Sequence, residues 1–223
     1  MFISNLNIEK QLKRLQLKLH NLEETLRLGI GKLKLENKDY LFTKLLIYKS
    51  LLIKWNKVYN LISVKGAEEI VTHHFLDCLA IVPYIEGKYI LDVGSGSGMP
   101  GIIIGLCYPK RNITLIDSVG KKTIFLKQTC TELNLSNITI INKRVEDITT
   151  NKLFDSIIAR AFAEMQILVN LTSHLIAKKG IWYGMKSKKI NEEGLSTKFI
   201  EEKKDIKVPY LDAERYLVKI INH

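Results

Sequence analysis

A chain of 223 residues, 46% of them hydrophobic, is the size of one domain with its own core, and with no apolar run near the ~20 residues of a membrane span it is not expected to enter a membrane. Its 34 Lys and Arg against 23 Asp and Glu give a net charge of +11, a surface suited to polyanions and above all to nucleic acid, although the Lys, Ile and Asn bias of an AT-rich coding sequence would produce the same excess. Met1 to Asn21 mixes apolar and charged positions without the h-region of a signal peptide, and Cys78, Cys107 and Cys130 form no CxxC pair, so they read as thiols in a reducing cytoplasm rather than as a zinc site.

In chain order, residues 1–36 are expected to be a helical extension. Leu12, Leu15, Leu19, Leu22 and Leu26 recur at helical spacing with Lys and Glu between them, until Gly29 and Gly31 interrupt. Such an amphipathic helix would pack on the domain or on a partner chain. Residues 37–223 would form the main domain, with a helical subregion at 37–86 and an α/β core at 87–223. Leu41–Trp55 predicts a second helix, carrying Leu41, Leu45, Tyr48, Leu52 and Trp55 on one side, and Ala67–Leu79 a third. From Tyr89 short apolar runs alternate with helical stretches: strand Tyr89–Val93, helix Gly101–Cys107, strand Ile113–Ile116, helix Lys121–Leu133, strands Ile138–Asn142 and Phe154–Ala159, helix Met165–Ala177, strand Ile181–Met185. That alternation predicts a mostly parallel, doubly wound sheet covered on both faces. The tail differs. Ile206–Leu211 and Tyr216–Ile221 predict two strands joined through Asp212, Ala213, Glu214 and Arg215 as an antiparallel hairpin. A Rossmann-like sheet finished by such a hairpin is, by analogy of fold, that of class I S-adenosylmethionine-dependent methyltransferases.

The strongest chemical signal is the run from Asp92 to Gly101, a buried strand passing through Gly94, Gly96 and Gly98 into Met99, Pro100 and a helix. Glycines let the chain turn tightly and let a ligand approach the backbone, and the helix start adds free N–H groups and a positive dipole end. Gly96 to Gly101 also fits the dinucleotide pattern GxGxxG, which alone is weak. The register separates the two ligand classes. The strand ends at Val93, so the first turn glycine is Gly94, and the third fingerprint position then falls on Met99 rather than on glycine. Asp92 would repel a pyrophosphate but suits the cationic methionine end of S-adenosylmethionine. A dinucleotide site and a purely structural turn remain as alternatives.

Asp117 ends the second strand, where an acid takes ribose hydroxyls in doubly wound folds; the alternative is a cap on the next helix. Val145 and Glu146 follow the third strand, where an apolar side chain packs on adenine and an acid accepts its amino group; the alternative for Glu146 is a surface charge. Arg160 at the end of the fourth strand cannot be a base but can hold a carboxylate or phosphate by a forked contact, or sit in a structural ion pair. No Asn-Pro-Pro-aromatic run follows this strand, which speaks against methylation of an exocyclic amine. Phe162 could stack on a base or pack in the core. Of His73 and His74, one is expected to face the cleft and the other solvent, with no metal between them.

Together these residues resemble the bacterial small-subunit ribosomal RNA methyltransferase G family, also called glucose-inhibited division protein B. The matching stretches are Trp55, Asn56 and Lys57 with Asn60 and Leu61; His74 with Asp77; Asp92 through Gly101; Leu115 to Ser118 with Gly120, Lys121 and Lys122; Phe125 and Leu126; Arg144, Val145 and Glu146; Arg160, Ala161 and Phe162; and Leu211, Asp212, Glu214 and Arg215. The resemblance spans about residues 40 to 221. It implies methylation of ring nitrogen 7 of a guanine in the 530 loop of 16S rRNA, with S-adenosylmethionine as cofactor. It carries Gly94, Met99, Val145, Glu146 and Arg160 over as cofactor contacts, beside Gly96, Gly98 and Asp117 from the loop and strand reading. Three departures stand out. His73 occupies a position that is usually Arg, Met185-Lys186-Ser187 replaces a usual Leu-Lys-Gly, and the first thirty or so residues look like an addition.

Ring nitrogen 7 of guanine has a free lone pair, so no general base is needed and catalysis reduces to alignment. No firm catalytic acid or base is therefore expected; Arg160 and Lys186 are the candidates for a positional role. Lys186, Arg215 and His74 are the candidates for RNA contact, with Lys186 alternatively a solvated charge. The expected partner is 16S rRNA, the small ribosomal subunit or its precursor, with a single chain the simpler oligomeric expectation. A class I methyltransferase for another RNA, a protein or a small molecule, and a non-catalytic cofactor-binding module, remain as alternatives.

Overall fold

The computed structural model describes residues 21–64, 66–160, 164–187 and 200–222. Its helices are α1 (residues 21–32), α2 (Lys38–Tyr59), α3 in three consecutive segments (Ala67–Glu69, a π-helical Ile70–Leu76 and Asp77–Ile81), α4 (Gly101–Cys107), α5 (Gly120–Glu132) and α6 (Met165–Thr172). Its strands are β1 (Tyr89–Val93), β2 (Asn112–Ile116), β3 (Ile138–Ile141), β4 (Phe154–Arg160), β5 (Ile176–Lys186), β6 (Ile200–Asp205) and β7 (Tyr216–Ile221). They form one sheet in the order β3-β2-β1-β4-β5-β7-β6. The first five in that order run parallel; β7 lies antiparallel between β5 and β6. The chain works outward from β1 to β3, then returns to β4 on the other side of β1. The crevice at the carboxyl ends of β1 and β4 is thus the topological switch point, where ligands bind in such sheets.

Alternation along β1 divides the core. Ile90 points into the cluster built by α1 to α5, and Leu91 and Val93 into the cluster under α6. A central parallel strand is covered on both faces, hence its nearly unbroken apolar run. Leu26 and Ile30 of α1 are fully buried in the same cluster as Leu45 and Tyr48. The expected interruption at Gly29 and Gly31 is corrected, since the helix runs on to residue 32. A Cβ at Gly29 would stand 2.6 Å from Leu76 Cδ1, so this glycine allows close approach of α1 to α3. Leu12, Leu15 and Leu19 lie outside the described residues. Asn37 and Asn60, both left-handed (φ 50 and 49), bracket α2, and the Asn60 N–H donates to Asn56 O. Asn tolerates that conformation at a helix end better than most residues.

Two further boundaries differ from expectation. The helix expected over Met165–Ala177 stops at Thr172, and Ile176 already pairs with Phe154 as the start of β5. Leu168, Val169, Leu175 and Ile176 have helical spacing, but a turn closed by Leu175 N to Thr172 O delivers the last two to the sheet. The C-terminal pair is antiparallel, yet its first strand is Ile200–Asp205 rather than Ile206–Leu211. Ile206 and Val208 are buried and so read as strand. Pro209 has no N–H for a ladder, and Tyr210 follows at φ 60. The connection therefore spans residues 206–215, closed at its base by Ile206 N donating to Arg215 O at 2.8 Å. Among the described residues no helix is long and apolar enough to cross a membrane, and no group of His, Cys, Asp and Glu could hold a metal ion.

Candidate active site

The loop after β1 is held in shape from three sides. Asp92 Oδ2 accepts from Gly101 N at 2.8 Å, Asp117 Oδ2 accepts from Gly96 N at 2.9 Å, and Ser95 Oγ donates to Asp92 O at 2.9 Å. From beneath, the buried Tyr48 hydroxyl donates to Ser97 O, while its ring stacks on Phe75 at 5.3 Å. Tyr48, a core position by its spacing on α2, also braces the glycine loop. Its apolar helix face was the visible signal, and its partner, a backbone carbonyl 49 residues away, has no sequence signature.

The loop glycines differ in what surrounds them. Gly94 (φ 65) and Gly96 (φ 58) are left-handed. A Cβ on Gly94 would meet nothing within 4 Å, and one on Gly96 only Gly94 O at 3.8 Å. Their outer side is open, as an approaching ligand requires. A Cβ on Gly98 would instead collide with Ile102 and Leu126, and Met99 is buried. Those two residues seat the loop on the core. Pro100 is the N-cap of α4, which spans Gly101–Cys107 as expected.

Beside the open glycines lies a cavity of ≈ 380 Å³, whose wall includes Gly94, Asp117, Lys122, Val145 and Glu146. Four of the cofactor candidates, Gly94, Asp117, Val145 and Glu146, are thus brought together from three strand ends, whereas Gly96, Gly98 and Met99 do not line this cavity and Arg160 lies in a second one. Val145 is buried and Glu146 half-exposed, its Oε1 3.7 Å from Arg144 Nη1. Asp117 is nearly fully buried; its Oδ1 accepts from Val119 N at 2.9 Å, and Lys122 Nζ lies 3.6 Å from its Oδ2. It therefore braces both the glycine loop and the turn into α5 while forming the cavity wall. Losing a charged acceptor costs about 1.5–3 kcal/mol, so Asp117→Ala is expected to weaken binding of S-adenosylhomocysteine by roughly ten- to a hundred-fold. Calorimetry checks this; wild-type affinity would reduce Asp117 to a loop brace.

A second cavity of ≈ 290 Å³ opens at the carboxyl ends of β4 and β5 and is lined by His73, His74, Asp77, Arg160, Lys186 and Arg215, among others. The three RNA candidates and Arg160 meet here. Arg160 pairs in register with Met185, which brings Lys186 alongside. Arg160 Nη1 donates to His74 Nδ1 at 2.8 Å. Burial, followed by the Arg160 charge and then His73, pushes His74 down to about 3, so its ring is neutral and accepts this bond. His74 is held inward, and His73, though exposed, lies on the wall of the same cavity. Lys186 is buried, only 6% exposed, and is not a solvated charge. Arg215 Nε donates to Asp77 Oδ1 at 3.1 Å, the two side chains being 16% and 8% exposed. Phe162 lies outside the described residues.

The π-helical turn of α3 carries His73 and His74; such turns insert an extra residue and recur at functional sites. The Arg160 guanidinium acts on acids at both the glycine loop and the second cavity. Arg160 lowers the proton affinity of Asp92 beneath the glycine loop and of Asp77 in the second cavity, in both cases against the larger opposite effect of burial.

A parallel sheet with this strand order, an open glycine turn after β1 and acids at the ends of β1 and β2 define a class I methyltransferase that uses S-adenosylmethionine. The magnesium protoporphyrin IX methyltransferase of Synechocystis PCC 6803, solved with bound S-adenosylmethionine, has the same fold: TM-score 0.54 at 13% identity, covering 81% of this chain and 97% of that one. The family described as GidB, rRNA small subunit methyltransferase G, matches residues 41–217, and the chain belongs to it. Ribosomal RNA small subunit methyltransferase G of Methylobacillus flagellatus is 41% identical over 199 residues, 88% of this chain and 97% of that protein. The enzyme of the same name from Laribacter hongkongensis is 42% identical over 203 residues, covering 90% and 98%.

Proposed function

We propose that this enzyme transfers the methyl group of S-adenosylmethionine to ring nitrogen 7 of a guanine in the 530 loop of 16S rRNA. The observation that carries the reading is two cavities along the carboxyl edge of the sheet, one at the ends of β1 and β2 walled by Gly94, Asp117, Val145 and Glu146 among others, the other at the ends of β4 and β5 lined by Arg160, Lys186, Arg215, the two histidines and Asp77. The cofactor fits the first. Gly94 and Gly96 leave the backbone open, and the buried Asp92 Oδ1 has no hydrogen-bond partner among the described residues. A cationic ligand is the natural partner for such an atom. Gly94, Gly96, Asp117, Val145 and Glu146 would hold the cofactor, with Gly98 and Met99 shaping the loop and Arg160 at the junction with substrate. When bound, S-adenosylmethionine supplies an electrophilic methyl group on a sulfonium.

The protein's own task is then to align and to exclude. The guanine nitrogen attacks with a lone pair, so no residue has to take a proton first. The chain is suited to that: Arg160 cannot deprotonate, and His74 is already neutral with its Nδ1 occupied. Holding nitrogen, methyl carbon and sulfur in line can supply several kcal/mol by positioning alone. The major groove of an RNA duplex is too deep and narrow to give access to this nitrogen, so a loop or splayed base is the substrate form. The enzyme would act as a monomer in the cytoplasm on the small subunit or its precursor.

The test is to map methylated nucleotides in 16S rRNA from cells with and without the protein. A single guanine losing its methyl group is expected; unchanged rRNA would overturn the reading. In purified components, RNA engagement is expected to weaken with salt as phosphates regain counterions. Lys186→Ala should shallow that dependence and raise the apparent KM for RNA with cofactor affinity nearly intact, whereas Arg160→Ala should lower both affinities. Efficient labelling of a perfect duplex, or of protein in preference to RNA, would contradict the assignment.

A further inference from the structure

The second cavity contains a group that phosphate binding does not explain. Asp77 is the one acid in its wall among the described residues, set among Arg160, Lys186, Arg215 and the two histidines. It is 6% exposed, in a nearly dry place for a charge. Arg215 Nε donates to its Oδ1 at 3.1 Å. A carboxylate here would repel a phosphate; it attracts a group that presents N–H donors. Arg215, from the 206–215 connection, restrains the Asp77 carboxylate from across the cavity. At ≈ 290 Å³ the cavity lies just below the usual range for small-molecule pockets, a size suited to one planar base.

We propose that Asp77 reads the base, accepting from the ring N1–H and exocyclic amino group of the target guanine while Arg215 clamps it. The inference rests on the reading of this enzyme as a guanine-N7 methyltransferase and deepens it. The geometry of guanine makes the two roles compatible. Nitrogen 7 lies on one edge of the purine and the N1–H and amino donors on another, so a carboxylate gripping the donor edge leaves nitrogen 7 free to face the cofactor. Adenine has no N1–H and would bring a lone pair against the carboxylate. A pocket built to pair with substrate N–H groups rejects analogues lacking them, because its buried acceptor is left unpaired. Lys186, on the wall of the same cavity, then has a distinct duty, to hold a backbone phosphate beside the inserted nucleotide.

The experiment uses small-subunit particles assembled with guanine or inosine at the methylated position. Inosine keeps nitrogen 7 and N1–H but lacks the amino group. Wild-type enzyme is expected to prefer guanine by roughly ten-fold in kcat/KM, the worth of one hydrogen bond to a charged group. Asp77→Asn should lose most of the rate on guanine and bring the guanine-to-inosine ratio close to one, while binding S-adenosylhomocysteine as the wild type does. Wild-type enzyme indifferent to inosine would overturn the proposal whatever the variant does, as would an Asp77→Asn enzyme that keeps the preference. Arg215→Ala should reduce the ratio partially, because Asp77 loses its clamp but not its charge. Failure of the wild type to methylate the guanine particle at all would instead overturn the underlying functional reading.

Discussion

Gly96→Val should bind no S-adenosylhomocysteine detectable by calorimetry, a loss of more than about a hundred-fold, while the protein still folds. Two independent effects act on the ligand side. The valine side chain would project into the open space beside Gly94, where the wild-type Cβ position meets only Gly94 O at 3.8 Å. It would also have to hold φ near 58, which for a β-branched residue costs on the order of 1–3 kcal/mol and so pulls the loop away from its pre-set shape. Neither effect touches the core, because no core atom stands near that Cβ. The contrast is Gly98→Val, whose side chain would be driven into Ile102 and Leu126; that variant should fail to fold rather than fail to bind. A folded Gly96→Val protein with wild-type affinity, seen together with an intact melting transition, would remove the cofactor from this loop.

The same loop shows what the sequence made legible and what it did not. The strand-turn-glycine register was readable because it is local: Val93 ends a run of buried residues, and Gly94, Gly96 and Gly98 follow at fixed spacing. Asp117, Val145 and Glu146 were readable because a doubly wound sheet places all strand ends along one edge. The assignments that needed another segment were not. Tyr48 looked like any apolar position of α2, and its bond to Ser97 O depends on how α2 crosses the sheet. Arg215 and Asp77 lie 138 residues apart in sequence, so a cation expected on phosphate is found tied to an acid. A lysine near a strand end reads equally as a solvated charge, yet β5 carries Lys186 into a wall between Arg160 and the start of β7. The misplaced ends of α6 and β6 have one origin: apolar spacing reports burial, and burial alone does not distinguish a turn that enters the core, as at Ile206 and Val208, from a strand.

Asp92→Asn should stabilise the ligand-free enzyme and disable it. Burial raises the Asp92 carboxyl to about 7, against the N–H of Gly101 and the charge of Arg160, which pull it down. A raised acid is protonated in the folded chain at a pH where it is ionised in the unfolded one, so its stability contribution is complete below about 4 and is lost as pH rises through about 7. Three pH units correspond to roughly 4 kcal/mol at most. Asn can keep the hydrogen bond from Gly101 without the charge, so its melting temperature should exceed that of the wild type at pH 8 and match it near pH 4. The cofactor should reverse this order. A cationic ligand favours the ionised carboxylate, so wild-type affinity for S-adenosylmethionine should fall as pH drops below about 7, and Asp92→Asn should bind it at least ten-fold more weakly at pH 8. At saturating cofactor the rate should stay flat between about pH 6.5 and 8.5, since no base titrates in the chemical step. Melting curves from about pH 4 to 8 check the first statement, calorimetry the second and initial rates the third. If Asn gained no stability at pH 8 and kept its cofactor affinity, the unpaired Asp92 oxygen would have no ligand to account for, and the charge would belong to the fold alone.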